Sequence, residues 1–203
     1  MTQEQNPVSN AKLLQYLNEM LSVENAGIIR LQTRIEETSI SDIKQQLQYH
    51  LEETKEQQKR LKNLINNRGG IPTAVEADLP ILSPKTEETS RVDEMVQSST
   101  TTLDKQQIIK SVLKDTENVG MKAEKELLEI KQDAIIENSE IISYKMLIEV
   151  SDKVNAEDAL IILKQNLKEE EQMASWIMTN SSKTLDALWR YIETSAGTRT
   201  INA

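Results

Sequence analysis

Four glutamates stand at positions where amphipathic helices should present apolar side chains. Glu24, Glu53, Glu140 and Glu170 interrupt the apolar stripes of four predicted helices, and His50 lies one turn before Glu53. Acidic groups that are buried together repel each other and lose their hydration, so a bundle that keeps them inside most simply does so by binding a cation. Because the chain has no cysteine, carboxylate and imidazole are the available ligands, and they suit iron or manganese, and also zinc.

Helical spacing indicates which carboxylates face the core. In the fourth helix Glu170 continues a stripe of apolar residues, whereas Glu169 and Glu171 point elsewhere. In the third helix Glu137 and Glu140 are one turn apart, and the stripe can be drawn through either of them. The spacing leaves open whether one or both reach the centre.

The elements that must position these side chains are four long helices. The sequence predicts helix 1 from 10 to about 38, helix 2 from the capping residues at 38–42 to about 67, helix 3 over about 121–152 and helix 4 over about 156–193, with Asn155 as its cap. Ser9 or Asn10 is the predicted cap of helix 1, and Gly69-Gly70 stops helix 2.

Between the two predicted hairpins lies a long crossover, 69–119, which contains three of the four prolines and a short amphipathic helix at about 103–117. The order of hairpin, long crossover and hairpin is typical of a ferritin-like antiparallel four-helix bundle. The predicted organisation is therefore a flexible arm over 1–9, one bundle domain over 10–194 and a flexible tail over 195–203.

The glutamates fall at similar heights when residues are counted from each hairpin turn. Glu24 and Glu53 lie about 15 and 14 residues from the first turn, and Glu140 and Glu170 about 14 and 15 from the second, so each pair is level to within about 3 Å at 1.5 Å per residue. The count predicts one polar layer at mid-height. Tyr144, one turn from Glu140, is placed to hydrogen-bond a ligand carboxylate.

Composition excludes several classes of protein. The 203 residues suit one domain, and the abundance of Glu, Lys, Gln, Leu and Ile with only 5 Gly and 4 Pro favours an all-α fold. The net charge of −9 offers no basic face for nucleic acid or an anionic membrane. With no apolar run near the roughly 20 residues of a membrane span and no signal-peptide pattern, the sequence predicts a cytoplasmic location.

Several segments resemble the ferritin-like YciE/YciF family, also known as the DUF892 family. These segments are SVENA around Glu24, YHLEETKEQ around His50 and Glu53, ENSEIISYKML from Glu137, and LKQNLKEEEQMASWI around Glu170. The resemblance implies a bundle that is usually dimeric, a di-iron-type carboxylate site at its centre and an association with stress responses. It establishes no catalytic activity and no catalytic residue.

Carried over position by position, the resemblance implies metal ligands at Glu24, His50, Glu53, Glu137, Glu140 and Glu170. The chain departs from the family pattern at Asn138, where many relatives have histidine, and at Ala174, where they have an acidic residue. These departures leave open whether the site holds one metal ion, two or none.

Two functions from different classes follow. The first is a carboxylate metal protein that handles oxygen or peroxide, by analogy with other di-metal bundles. The second is a metal-free helical interaction or structural protein, whose inner carboxylates form a polar layer paired with Lys, Arg or Gln. An iron-storage cage is disfavoured because the long acidic insertion and the extended fourth helix do not suit a compact shell subunit.

Overall fold

The chain folds into four α-helices, and the computed structural model describes residues 7–79 and 103–197, with most side chains of the second range placed from 124 onward. The helices are α1, Pro7–Glu37; α2, Ser41–Asn67; α3, Leu103–Lys153; and α4, Glu157–Gly197. The predicted all-α fold, two hairpins joined by one long crossover, is confirmed.

Both ends of the helical region extend further than the sequence predicts. α1 begins at Pro7, so the predicted arm is too long, and Ser9 and Asn10 lie inside the first turn instead of capping it. Proline suits a first turn because its φ is already near the helical value and its missing N–H would have had no partner there. α4 reaches Gly197, which takes up the start of the predicted tail. The rest of the predicted arm and tail lies outside the described residues.

The third helix shows the largest departure from the sequence prediction. The separate short helix predicted in the crossover at 103–117 is wrong, because α3 is one continuous helix of 51 residues that runs through Gly120. A single glycine in a helix costs only about 1 kcal/mol relative to alanine, so Gly120 alone does not stop the helix. Gly69 does end α2 as predicted. Its backbone φ of +78° lies in a region that residues other than glycine rarely adopt.

Both hairpin loops are short, and neither uses the capping residue expected from the sequence. The N-cap of α2 is Ile40, without a side-chain cap, and the Ile40 amide donates to the Thr38 hydroxyl at 3.3 Å. Asn155 has a φ of +53° and its amide donates to the carbonyl of Asp152 at 3.0 Å. It therefore terminates α3, a role to which asparagine is suited in the left-handed region, and the predicted cap of α4 is wrong.

The chain divides into two compact units, and the candidate site lies in the one formed by 1–80 and 133–179. Hydrogen bonds between α1 and α3 show their relative direction. Tyr144 of α3 bonds Glu24 of α1, and Asp133 of α3 bonds Arg34 of α1, so the two helices are antiparallel. A cluster of buried apolar side chains fills one end of this unit. Its larger members are Leu13, Leu17, Met20, Leu21, Leu61, Leu64, Ile65, Tyr144, Leu147 and Leu163.

A second set of buried apolar residues lies on the other side of the polar layer, and it includes Leu31, Ile43, Leu47, Ile136, Met173 and Ile177. Each fully buried aliphatic side chain contributes about 1.5–3 kcal/mol of hydrophobic free energy. Apolar packing on both sides therefore holds the four helices together and offsets the cost of the polar groups between them.

The other unit comprises 81–132 and 180–203, of which the structure describes the first part of α3 and the end of α4. Glu126 and Thr184 are buried in it, and the exposed Trp189 donates from its indole nitrogen to Glu193 at 3.1 Å. Among the described helices, none has an apolar stretch of the length needed to cross a bilayer.

Candidate metal centre

Five of the six predicted ligands are buried side by side at mid-height of the bundle. We call this set the carboxylate layer; it consists of Glu24 of α1, His50 of α2, Glu137 and Glu140 of α3, and Glu170 of α4, each no more than 5% exposed. The sequence leaves open whether one or both glutamates of α3 reach the centre, and the structure shows that Glu137 and Glu140 are both buried. Every helix thus contributes at least one side chain to the layer.

His50 is the centre of one half of the carboxylate layer. Its Nε2 lies 3.4 Å from Oε1 of Glu137 and 3.6 Å from Oε2 of Glu170. One ligand atom from each of these three residues lies within 4.8 Å of the others. Ligand atoms on one transition-metal ion, at about 2.0–2.2 Å from it, are separated by up to about 4.4 Å, so small side-chain adjustments suffice to bring all three onto one ion.

Three carboxylate oxygens of the layer are buried and have no hydrogen-bond partner among the described residues. They are Oε2 of Glu24, Oε2 of Glu137 and Oε2 of Glu170. A buried polar atom without a partner costs about 1–3 kcal/mol, and more when it is charged. Three such oxygens, from three different helices, fit a bound cation, since a metal ion satisfies carboxylate lone pairs and compensates their charge.

Burial changes the proton affinity of the carboxyl groups. It raises the pKa of Glu24 from 4.5 to about 8, even though the hydrogen bond from Tyr144 acts in the opposite direction. Burial, followed by repulsion from the neighbouring carboxylates, also holds the pKa of Glu140 and of Glu170 well above the usual value. Without a cation, these groups therefore hold their protons to a higher pH than an exposed glutamate does.

The pKa of His50 is also raised, but by its acidic neighbours and not by burial. Burial alone would lower its pKa, but the charge of Glu137 and hydrogen bonds to Glu137 and Glu53 outweigh this and hold it well above 6.5. The metal-free layer thus favours the protonated imidazole, and metal binding competes with that proton.

A hydrogen-bonded chain leads from the protein surface to Glu24. The Arg60 guanidinium donates to Oδ1 of Asn166 at 2.7 Å, Nδ2 of Asn166 donates to the Tyr144 hydroxyl at 3.0 Å, and that hydroxyl donates to Oε1 of Glu24. Tyr144 therefore bonds a carboxylate of the layer, as its spacing predicts. Sequence reasoning missed Asn166, although it lies between Leu163 and Glu170 on the inner stripe of α4.

Glu53, the sixth predicted ligand, lies at the margin of the layer. Its side chain is 14% exposed, and its Oε2 is 3.3 Å from Nδ1 of His50. A hydrogen bond to Glu53 raises the pKa of the exposed Tyr49 hydroxyl. Glu53 therefore contacts the outer nitrogen of His50, the place where a carboxylate orients a metal-binding imidazole.

The register between α1 and α2 differs from the predicted one. A β-carbon at Gly27 would lie 3.7 Å from the Thr54 methyl group, which places these two residues opposite each other. In antiparallel helices residue 24 is then opposite Gln57 rather than Glu53. Gln57 is fully buried, and neither of its side-chain amide atoms has a hydrogen-bond partner among the described residues.

The two departures from the family pattern have different structural meanings. Asn138 is exposed, and its side-chain amide donates to the carbonyl of Ala134 one turn earlier at 2.7 Å. It points away from the carboxylate layer, so asparagine at this position removes no ligand from it. Ala174 is buried one turn beyond Glu170, where its methyl group offers no ligand atom.

A buried ion-pair cluster next to the layer was not predicted. Asp133 of α3 accepts from Arg30 at 2.8 Å and from Arg34 at 3.0 Å. Burial raises the pKa of Asp133, and the two guanidinium groups partly oppose this shift. Arg34 follows Glu24, Gly27 and Leu31 at helical spacing, so its buried position could be recognised from sequence, but its partner 99 residues away could not.

Several solved structures share this fold. The bundle is similar to YcfI of Rhodopseudomonas palustris, with 21% identity, a TM-score of 0.59, and coverage of 88% of this chain and 98% of that one. A Xanthomonas campestris protein is 19% identical, with a TM-score of 0.60 and coverage of 91% and 99%. The Escherichia coli stress protein YciF is 18% identical, with a TM-score of 0.58 and coverage of 89% and 99%.

No curated protein matches the chain significantly. A family model does match it, over residues 10–80 and 84–187, which include most of each of the four helices and every residue of the carboxylate layer. The match therefore agrees with the family that the sequence segments resemble. The chain belongs to the family described as a domain of unknown function, DUF892.

Proposed function

We propose that this protein binds iron or manganese in the carboxylate layer. The observation that carries the proposal is the set of unpaired buried oxygens on Glu24, Glu137 and Glu170, next to an imidazole whose nitrogen lies 3.4 Å from Glu137. Nitrogen and carboxylate oxygen ligands without any thiolate suit these ions, and they admit zinc as well.

The residues of the layer and their neighbours have different proposed roles, according to their positions. His50, Glu137 and Glu170 would hold one ion, while Glu24 and Glu140 supply carboxylates for a second. Glu53 would orient the imidazole, and Tyr144 would fix Glu24 through its hydrogen bond. A bound redox-active ion would supply the chemistry to react with oxygen or peroxide.

The proposed context is a stress response that involves oxygen or peroxide. Its support is the fold shared with the Escherichia coli protein that is described as a stress protein, at 18% identity. The redox role depends on the identity of the bound metal, which metal analysis determines.

Metal analysis tests the proposal directly. Protein purified without chelator should contain iron or manganese, and Glu24→Ala/Glu170→Ala should lose it, since two helices then lack their ligands. The exposed pair Glu52→Ala/Glu56→Ala on α2 is the matched control and should keep the metal. Equal metal content in both double variants would place the ion elsewhere.

A metal-free structural function has one observation in its favour. The raised pKa values of Glu24, Glu140, Glu170 and His50 favour a layer that remains folded by holding protons instead of an ion. In that case Glu24→Gln/Glu170→Gln should stabilise the protein, because it removes buried ionisable groups, and metal should not change the melting temperature.

We also propose that the protein acts as a homodimer. An apolar groove of about 300 Å³ runs between α1 and α3, with Tyr16, Met20 and Val23 on one side and Met146 and Val150 on the other. Met146 is 63% exposed, and exposed apolar surface of this kind often marks an interface. Sedimentation velocity should show a dimer that Met146→Lys dissociates, and a monomeric wild-type protein would exclude it.

A further inference from the structure

Gln57 of α2 carries a buried amide that the polar contacts of the bundle leave unused. The residue is 0% exposed, and neither its Oε1 nor its Nε2 has a hydrogen-bond partner among the described residues. Buried amides in proteins are nearly always paired, because burial removes their hydrogen bonds to water. An aliphatic side chain would fill the same space without that cost, so the unpaired amide fits a ligand that it contacts.

The register of the helices places Gln57 level with Glu24. The contact between Gly27 and Thr54 puts these two residues opposite each other on α1 and α2. Gln57 follows Thr54 on the buried stripe of α2. Oε2 of Glu24 is buried without a hydrogen-bond partner among the described residues, as are both polar atoms of Gln57. Unpaired polar atoms therefore lie at the same height on two adjacent helices.

The carboxylate layer has two halves along the bundle axis. The half around His50 has three ligand atoms within 4.8 Å of one another. The other half contains Glu24 and also Glu140, whose Oε1 would lie 3.7 Å from a β-carbon on Gly27, one turn from Glu24. Gln57 lies two turns beyond His50 on α2, about 10 Å along the helix at 1.5 Å per residue. It therefore belongs to the half that contains Glu24.

The charge of the layer fits two divalent cations. Its four buried glutamates would carry four negative charges when ionised, and two divalent cations balance them. Carboxylate sites of this kind hold two ions about 3.5–4 Å apart. His50 is the neutral ligand that one half offers beside its carboxylates, and Gln57 is the neutral side chain at the height of the other half.

We propose that Gln57 binds the second metal ion of the carboxylate layer through its Oε1, together with Glu24 and Glu140. The inference rests on the proposed function, because it assigns a ligand to the second of the two proposed ions. All protein ligands of this half are oxygen atoms, whereas the other half includes an imidazole nitrogen. Carboxylate and carbonyl oxygens suit hard divalent ions such as manganese, so manganese is the ion with which to test this half.

Substitutions at Gln57 test its role as a ligand. With manganese in excess, we expect the wild type to bind two ions per chain and Gln57→Leu to bind one, which stays at His50. Gln57→Glu keeps an oxygen at the same reach and should bind two. Gln57→Asn keeps the amide but shortens its reach by one methylene, so it should also lose the second ion. Gln48→Leu, the same change at an exposed position of α2, is the matched control and should bind two.

Metal analysis counts the ions, and anomalous diffraction from crystals grown with manganese locates them. Two ions in the layer of Gln57→Leu would overturn the role of Gln57 and leave the proposed metal binding intact. A single ion at His50 in the wild type would have the same meaning. A wild-type layer without any manganese would overturn both proposals.

The melting temperature in chelator separates a metal ligand from a residue that only packs. Gln57→Leu removes a buried amide without a partner, so the metal-free variant should melt at a higher temperature than the metal-free wild type, although it binds less metal. A packing role predicts the opposite pair of results, a lower melting temperature with unchanged metal content. That pair of results would overturn the proposal.

Discussion

At the scale of single residues, the carboxylate layer combines groups that stabilise one another only in particular protonation or metal-bound states. The glutamates of the layer are buried with too few hydrogen-bond donors, and His50 is the nearby group that becomes positively charged on protonation. A layer of this kind has either bound protons or a bound cation, because ionised carboxylates without either would repel each other in a medium of low polarity. Proton and metal binding should therefore compete.

We expect the metal-free protein to lose stability as the pH rises from about 4.5 to about 8. In this window folded Glu24, with its pKa of about 8, keeps a proton that the unfolded chain has released, so the folded state is favoured at the acidic end. The raised pKa of His50 acts in the same direction. Urea unfolding in chelator at several pH values measures the slope.

Glu24→Gln should flatten that pH dependence, because the amide cannot ionise and still accepts the hydrogen bond from Tyr144. Glu52→Gln, on the exposed surface of α2, should keep the wild-type slope. If stability of the metal-free wild type increased across the same window, Glu24 would not carry a raised pKa.

Tyr144→Phe tests the chain of hydrogen bonds behind Glu24. The change leaves Oε1 of Glu24 without its donor and the Asn166 amide without its acceptor, so we expect a loss of about 1–3 kcal/mol in stability and roughly 10–100-fold in metal affinity. Denaturant unfolding measures the change in stability, and metal titration measures the change in metal affinity. Tyr16→Phe, which keeps the ring beneath the Lys12 ammonium, is the control and should change neither much.

At the scale of helices, the sequence predicts the inner faces better than the ends. The stripe of α2 from Ile43 through His50 to Leu64 is buried as predicted, because periodicity reports directly on which face meets the core. The caps were wrong at Asn10 and Asn155, since a capping residue is defined by backbone angles that its type only favours.

Two glycines should respond oppositely to alanine because of their different backbone conformations. Gly120 lies within continuous α3, so Gly120→Ala should stabilise the protein by about 0.5–1 kcal/mol, whereas Gly69→Ala should destabilise it by about 1 kcal/mol because its φ is +78°. Thermal unfolding distinguishes them. Destabilisation by Gly120→Ala would argue instead for the two separate helices expected from sequence.

At the scale of the whole molecule, the sequence predicts the hairpin–crossover–hairpin order and most of the layer, but not its neighbours. Counting from the turns places Glu24, Glu140 and Glu170 at mid-height. It misses the shift in register between α1 and α2 that the contact between Gly27 and Thr54 shows. The pairing of Asp133 with Arg30 and Arg34 depends on side chains about 100 positions apart, which periodicity within one helix does not report.

Metal should stabilise the whole bundle because the proposed ligands come from all four helices. An ion at 100 times its dissociation constant adds about 2.7 kcal/mol to the free energy of unfolding. We therefore expect the melting temperature to fall on chelation and to recover when manganese is added back. His50→Ala should melt at the same temperature with and without manganese, while Lys59→Ala should respond like the wild type.

Anomalous X-ray diffraction from crystals grown with manganese tests the metal assignment most directly, since it locates the ion without reference to stability or activity. An ion in the carboxylate layer predicts an anomalous peak within bonding distance of Nε2 of His50 and of oxygens of Glu137 and Glu170, the three side chains whose ligand atoms lie within 4.8 Å of one another. A layer without any peak, with His50 still paired to Glu137, would contradict it.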